Sequence, residues 1–72
     1  MAPVPRYQQI AAILRARIEA GKLAPGQRIP SEPTLMQEFG VARNTARHAI
    51  GLLRDEELVV TVPGVGTFVR SR

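Results

Sequence analysis

Three arginines in one predicted helix are the residues best placed to do chemistry in this chain. Arg43, Arg47 and Arg54 are spaced so that, at about 100° per residue, they fall on one narrow stripe of an α-helix. Each guanidinium carries a planar fork of hydrogen-bond donors, which suits phosphate groups and the edges of guanine bases. The stripe therefore predicts a surface that binds an anionic polymer.

A second, apolar stripe predicts how this helix is held against the protein. It consists of Ala46, Ala49, Ile50 and Leu53. The segment from Gly40 to Arg54 contains no Asp or Glu, so its charged side is wholly cationic. Gly40 also closes a shorter predicted helix, and this spacing is typical of a helix-turn-helix. The second helix of that motif is the one that enters the DNA major groove.

Composition excludes several other classes of function. The chain has 72 residues, 44% of them hydrophobic, which fits one small folded domain. It has no cysteine and only one histidine, so we expect no enzyme activity, no metal site and no cofactor.

Charge and hydropathy indicate the kind of partner and the location. The formal net charge is +4, which favours a polyanionic partner, although a basic surface that serves only solubility has the same charge. The uninterrupted apolar runs are short, so we expect no membrane span and no signal peptide. The predicted location is the cytoplasm.

The N-terminal part is predicted to be a tail followed by a helix. Pro3 and Pro5 keep residues 1–5 extended, and the predicted domain spans 6–70. Apolar residues at helical spacing predict a helix over about 7–20. Those residues are Tyr7, Ile10, Ile13, Leu14 and Ile18.

Glycines and a serine mark the boundaries of the next elements. Gly21 ends the first helix, and residues 27–29 are the best candidate for one very short strand. Ser31 is a good N-cap for a second helix, which Gly40 ends. Glu32 follows in the first turn of this helix, where a carboxylate suits the helix dipole.

The remaining elements complete the predicted fold. The arginine-bearing helix runs over about 43–55. A β-branched run at 58–62, a turn at 63–66 and a strand at 67–70 form a hairpin. The fold class is mainly α with a small antiparallel β-hairpin, arranged as a three-helix winged helix-turn-helix.

Two charge patterns predict local electrostatics. Arg15 and Glu19 are four residues apart, so they are expected to form a weak pair on the outer side of the first helix. The acidic residues 55–57 follow the third helix at the end that its dipole disfavours. We expect a small cost there, tolerated on a solvated surface.

Six short segments, taken in order, resemble one protein family. The chain is similar over Val4–Arg70 to the N-terminal DNA-binding domain of GntR-family bacterial transcription regulators, most of all to the branch often called HutC-like. The segments are Tyr7–Ile10, Gly21–Leu23 with Pro25–Gly26, Ile29–Glu32, Phe39–Val41, Arg43–Arg47 and Gly66–Val69.

The resemblance implies a DNA-binding role for the start of the third helix. It implies that Arg43 and Arg47 reach bases and phosphates of a major groove and that Thr45 contacts the backbone. Asn44 and His48 flank these residues, and for both a DNA contact and a purely solvent-exposed position remain open.

The hairpin is the second expected contact surface. Gly64, Val65, Gly66 and Thr67 are, by resemblance, the tip of a wing that reaches the minor groove. A turn that merely requires positive φ explains the two glycines equally well. Arg70, near the hairpin base, is expected either to contact phosphate or to be surface charge only.

Three positions depart from the family pattern. Pro33 and Val65 stand where relatives often carry basic residues, and Ala42 stands where a serine or threonine usually caps the third helix. Each change removes a polar or positive group, so we expect weak phosphate binding by a single domain.

The resemblance also implies how the domain is used. Family members carry a larger effector-binding and dimerising domain behind this one, so the effector is expected not to bind here. A stand-alone domain and a piece of a larger regulator both fit the sequence. The expected function is sequence-specific binding of double-stranded operator DNA, as a homodimer on the DNA, in repression of transcription. A protein-interaction or assembly module and a nonspecific nucleic-acid binder are the alternatives.

Overall fold

The computed structural model of the protein describes residues 3–71. Residues 1 and 2 of the predicted tail, and Arg72, lie outside the described residues. The elements are α1 (Arg6–Glu19), α2 (Glu32–Phe39), α3 (Arg43–Asp55), β1 (Val59–Val62) and β2 (Gly66–Val69). The predicted fold class, mainly α with a small antiparallel hairpin, is confirmed.

Helices α1 and α3 form the centre of the core. Leu14 of α1 and Leu53 of α3 are fully buried, and Leu35 brings α2 onto the same cluster. Such burial stabilises the fold by about 1.5–3 kcal/mol for each large aliphatic side chain. The other buried residues are Ile10, Ala11, Leu23, Ile29, Ala46, Ala49, Ile50, Val59 and Val69.

Ile13, one of the apolar residues that predicted α1, does not belong to the buried side of the helix. Its side chain is 41% exposed, whereas Ile10 and Leu14 are buried. Ile13 lies about 100° round the helix from Leu14, on the side away from Ala11. The buried side of α1 therefore centres between Leu14 and Ala11, and Ile13 is turned to its margin.

The predicted helix boundaries are confirmed by backbone geometry. The Oγ of Ser31 accepts a hydrogen bond of 3.4 Å from the backbone N–H of Thr34, as an N-cap does. Gly40 ends α2 in the left-handed conformation, with φ of 64°, which costs a glycine little. Ala42 precedes α3 without a side-chain cap, as expected.

The hairpin is attached to the body of the protein through its second strand. β1 and β2 are antiparallel, with Val60 opposite Phe68 and Thr61 opposite Thr67. On the other edge of β2, Arg28 forms an isolated bridge with Phe68, and the N–H of Ile29 donates to Thr67 at 2.9 Å. These bonds confirm the short strand expected over 27–29.

The predicted local pair of Arg15 and Glu19 is replaced by a contact between helices. Both ends of the Arg15 guanidinium donate to Glu56, at 2.9 and 2.7 Å. The hydrogen bond to Glu56 raises the pKa of Arg15 above its usual range. A bidentate partner at 41 residues' separation is geometrically better than a flexible neighbour on the same helix.

Two of the acidic residues at the end of α3 have ion-pair partners, so they are not simply an unfavourable charge that a solvated surface tolerates. Glu56 pairs with Arg15, and Glu57 lies 3.3 Å from the guanidinium of Arg70. Two arginines from elsewhere in the chain offset the charge that the helix dipole disfavours.

Candidate nucleic-acid interface

The turn between α2 and α3 positions the basic surface. Gly40 reverses the chain, and α3 then begins at Arg43, packed on the core through its apolar stripe. The opposite side of α3 faces solvent, so the side chains of Arg43 and Arg47 are 56% and 62% exposed. Asn44 beside them is exposed, and Thr45 is half-buried.

One carboxylate bridges the two leading arginines. Glu32 Oε1 lies 3.2 Å from Arg43 Nη1, and its Oε2 lies 3.5 Å from Arg47 Nε. Glu32 is the first residue of α2, where its charge also suits the helix dipole. Sequence reasoning assigned Glu32 only to that dipole, because its contacts lie across the helix-turn-helix rather than one helical turn away.

Arg54 is separated from the other two arginines in its interactions. Its Nη1 donates to the Thr61 hydroxyl at 2.8 Å, and that hydroxyl lies 3.2 Å from the hydroxyl of Thr67. The chain of contacts links the last turn of α3 to both strands of the hairpin. Arg54 thus faces the hairpin, while Arg43 and Arg47 face α2.

His48 lies against the first helix. Its ring stacks on that of Tyr7, with the ring centroids 3.6 Å apart and the planes at 6°. Its residue surface as a whole remains exposed. The stack gives His48 a packing role, and because the residue is exposed, solvent and ligands can still reach its ring nitrogens.

The hairpin tip has the geometry that its glycines suggested. Gly64 has φ of 75° and Gly66 has φ of 153°, both in the region that favours glycine. Between them Val65 is 55% exposed and forms the apolar end of the turn. Thr67 is half-buried, with its hydroxyl directed to Thr61.

Arg70 is set apart from the other expected contact residues. It lines an open cleft of about 740 Å³ with Ile18, Glu19 and Leu58, at the base of the hairpin. Arg47, Arg54, Gly66 and Thr67 instead line a smaller cleft between the hairpin and the helices. The structure thus brings together most, but not all, of the expected site.

A further arginine, which the sequence marks only as one of several possible phosphate donors, belongs to this surface. Arg28, on the short strand beside β2, lines the smaller cleft with Arg47 and Arg54. In the sequence it stands alone between a turn and a proline, and only the pairing of its strand with β2 places it here.

These features define a class of protein. A short helix, a tight turn, an exposed basic helix and a β-hairpin attached beside it form a winged helix-turn-helix. Among residues 3–71, no helix combines the length and the apolar character of a membrane span.

Comparison with known proteins identifies the family. Residues 6–69 match the model for bacterial regulatory proteins of the gntR family. The chain therefore belongs to the GntR family. It is 40% identical over 67 residues to the mannosyl-D-glycerate transport/metabolism system repressor MngR of Escherichia coli, and 43% identical over 68 residues to the histidine utilization repressor of Klebsiella aerogenes. These alignments cover 93% and 94% of this chain, but only 28% of each relative.

Solved structures agree with this assignment. The DNA-binding domain of AraR in complex with operator ORE1 has a TM-score of 0.89 and 46% identity, over 93% of this chain and 82% of that one. A putative GntR-family transcriptional regulator has a TM-score of 0.87 and 38% identity, over 94% of this chain and 27% of that one. The winged helix-turn-helix is thus the fold of this family's DNA-binding domains.

Proposed function

We propose that this domain binds double-stranded operator DNA in a sequence-specific way and serves a bacterial transcriptional repressor. The observation that carries the proposal is the pair of exposed arginines, Arg43 and Arg47, at the start of the second helix of the helix-turn-helix. The N-terminal residues of such a helix are the ones that meet base edges in the major groove. AraR, a similar protein, has been crystallised with its operator.

The individual residues take different roles in this proposal. Arg43 and Arg47 read guanine edges or adjacent phosphates, Thr45 contacts the DNA backbone, and Asn44 and His48 flank these residues on the DNA-facing surface. Arg54 and the hairpin tip contact the DNA backbone on the hairpin side of α3, away from Arg43 and Arg47. Arg70 adds a phosphate contact only where the DNA extends to the hairpin base. The hairpin-tip residues are Gly64, Val65, Gly66 and Thr67.

The assembly and the biological setting are part of the same proposal. Two copies bind a two-fold operator at half-sites about one helical turn apart. The chain acts in the cytoplasm, not as an enzyme, and binds no effector itself. Repression is proposed because relatives such as MngR are named repressors. This chain spans about 28% of the length of MngR.

Selection and competition test the proposal directly. A duplex is selected from a random library with the 72-residue chain, and its affinity is compared with that of random duplex. Arg43→Ala and Arg47→Ala should each cost about 1–3 kcal/mol on the selected duplex and less on random DNA. Lys22→Ala is the control, since Lys22 is exposed and lines neither cleft.

The alternatives give different outcomes. A nonspecific binder shows equal affinity for selected and random duplexes. A protein-interaction module binds no duplex at all. Either result overturns the proposal.

A further inference from the structure

Two arginines without a carboxylate partner line one cleft. The cleft, of about 200 Å³, lies between the hairpin and the helices α2 and α3, and Arg28 and Arg54 both border it. Among residues 3–71, no carboxylate lies within ion-pair distance of either guanidinium, whereas Arg15, Arg17, Arg43, Arg47 and Arg70 each have such a partner.

The charge lining the cleft is therefore positive. Arg28, Arg47 and Arg54 contribute three positive charges, and Glu32 contributes one negative charge. That carboxylate is already shared between Arg43 and Arg47. An excess of two positive charges faces a small opening, which favours an anion there.

Two hydroxyl groups add uncharged hydrogen-bonding atoms to the same opening. Thr61 and Thr67 border the cleft, and their hydroxyls lie 3.2 Å apart. Arg54 donates to Thr61 at 2.8 Å, so its guanidinium is held at the wall of the cleft by one of its donors. A guanidinium has five N–H donors, so others remain for a ligand.

A glycine in β2 makes room for the other arginine. A Cβ at position 66 would lie 2.6 Å from Arg28 Nε, closer than a Cβ approaches such an atom in proteins, and 3.1 Å from Arg28 Cζ. The Arg28 guanidinium lies across the hairpin strand at Gly66, and a side chain at this position would require the guanidinium to shift. Gly66 thus serves the position of Arg28 as well as the turn.

We propose that this cleft receives a backbone phosphate of the bound DNA, held by Arg28 and Arg54. The inference rests on the proposed DNA-binding function and adds Arg28 to the contact surface. Guanidinium forks match the geometry of phosphate oxygens, and contacts of this kind set the register of a protein on the duplex without reading its sequence. The contact anchors the hairpin relative to α3.

Salt dependence of affinity tests the assignment. Binding of the selected duplex and of random duplex is measured by fluorescence anisotropy at several salt concentrations. Arg28→Gln should make the slope of log affinity against log salt shallower by about one unit. It should weaken binding to both duplexes by the same factor. Arg28→Gln with Arg54→Gln should reduce the slope by about two. Arg28→Lys should keep the slope, because the charge remains.

Controls separate this inference from the proposed function. Lys22→Gln removes one exposed cation outside the cleft and should leave the slope unchanged. Circular dichroism during thermal unfolding verifies that each variant is folded. If the native chain prefers the selected duplex but Arg28→Gln keeps its slope, the phosphate assignment is wrong while the DNA-binding proposal stands.

Free phosphate gives a second arm. Inorganic phosphate is titrated into ¹⁵N-labelled protein, and the side-chain Nε–Hε resonances of Arg28 and Arg54 are followed. Their movement together with the slope loss on DNA supports the phosphate site. Movement with an unchanged slope on DNA assigns the cleft to free phosphate and overturns the backbone contact.

Discussion

Glu32 and Arg43 form an ion pair across the helix-turn-helix, with Glu32 Oε1 and Arg43 Nη1 3.2 Å apart. The second oxygen of Glu32 extends the contact to Arg47 at 3.5 Å. A carboxylate thus stands between the two arginines proposed to meet DNA. It pairs with both guanidinium groups in the free protein, and its charge would repel the phosphates of DNA bound as proposed.

Glu32→Gln is expected to bind every duplex more tightly. Removing the charge frees both guanidinium groups from a pair that would otherwise have to break on DNA binding. Because an exposed ion pair contributes only about 0–1 kcal/mol, the affinity should rise about two- to fivefold. The folded state should lose about 0.3–1 kcal/mol, because the carboxylate no longer meets the N-terminus of α2. Duplex titration and urea unfolding measure the two effects.

A matched variant identifies the cause. Glu38→Gln removes a carboxylate from the exposed pair that Arg17 and Glu38 form between α1 and α2. It should change duplex affinity much less than Glu32→Gln. Weaker binding by Glu32→Gln would show instead that the carboxylate orients the arginines for binding.

Ala42→Ser is expected to stabilise the protein. The backbone at Ala42 is already extended, with φ of −73° and ψ of 162°, which is the conformation of an N-cap, but alanine offers no acceptor. A serine hydroxyl there should add about 0.5–2 kcal/mol to the free energy of unfolding. Ser31→Ala, which removes the existing cap of α2, should lose a similar amount in the same urea titration. A loss at Ser31 without a gain at Ala42 would contradict this account of α3.

The stacked rings of Tyr7 and His48 are expected to couple α1 to α3. In a double-mutant cycle with Tyr7→Leu and His48→Ala, the interaction free energy should be about 0.5–1.5 kcal/mol. Urea unfolding gives the free energy of each protein, and the cycle subtracts the loss of buried area at each single position. Additive effects of the two changes would mean that the stack contributes nothing to stability.

Local sequence patterns were sufficient to predict the helices and strands, because the residues that begin or end each element lie within a few positions of its boundary. The Ser31 cap and the left-handed Gly40 both follow from side-chain chemistry that acts on the adjacent backbone. The apolar spacing of α3 likewise predicted which side is buried, since its period is that of the helix itself.

Contacts between different helices and strands could not be predicted from such local patterns. Arg15 has Glu19 four residues away but pairs with Glu56, because packing of α1 on α3 presents a better geometry. Glu32 was assigned a local role, although the helix-turn-helix brings it to Arg43. Arg28 carries no local pattern at all, and only the strand pairing places it on the cleft. Each depends on the relative placement of two elements, which no short stretch of sequence encodes.

The hairpin tip provides the last prediction, through Val65. The family resemblance implies a basic residue at this position, whereas here an exposed valine ends the turn. With Val65 and Pro33 in place of basic residues, the native chain should neutralise roughly three to five phosphates per copy, and each contributes about −0.9 to the slope of log affinity against log salt. Val65→Arg should therefore steepen the slope by about one and tighten binding to all duplexes.

The position allows the substitution without harm to the fold. Val65 is exposed and is not among the residues with positive φ, so the free energy of unfolding should change by no more than about 0.5 kcal/mol. Ala16→Arg is the control, because it adds the same charge at an exposed position of α1. Affinity measured at several salt concentrations compares the three proteins. If Val65→Arg and Ala16→Arg change the slope equally, the effect is one of net charge, and the hairpin tip does not approach the DNA backbone.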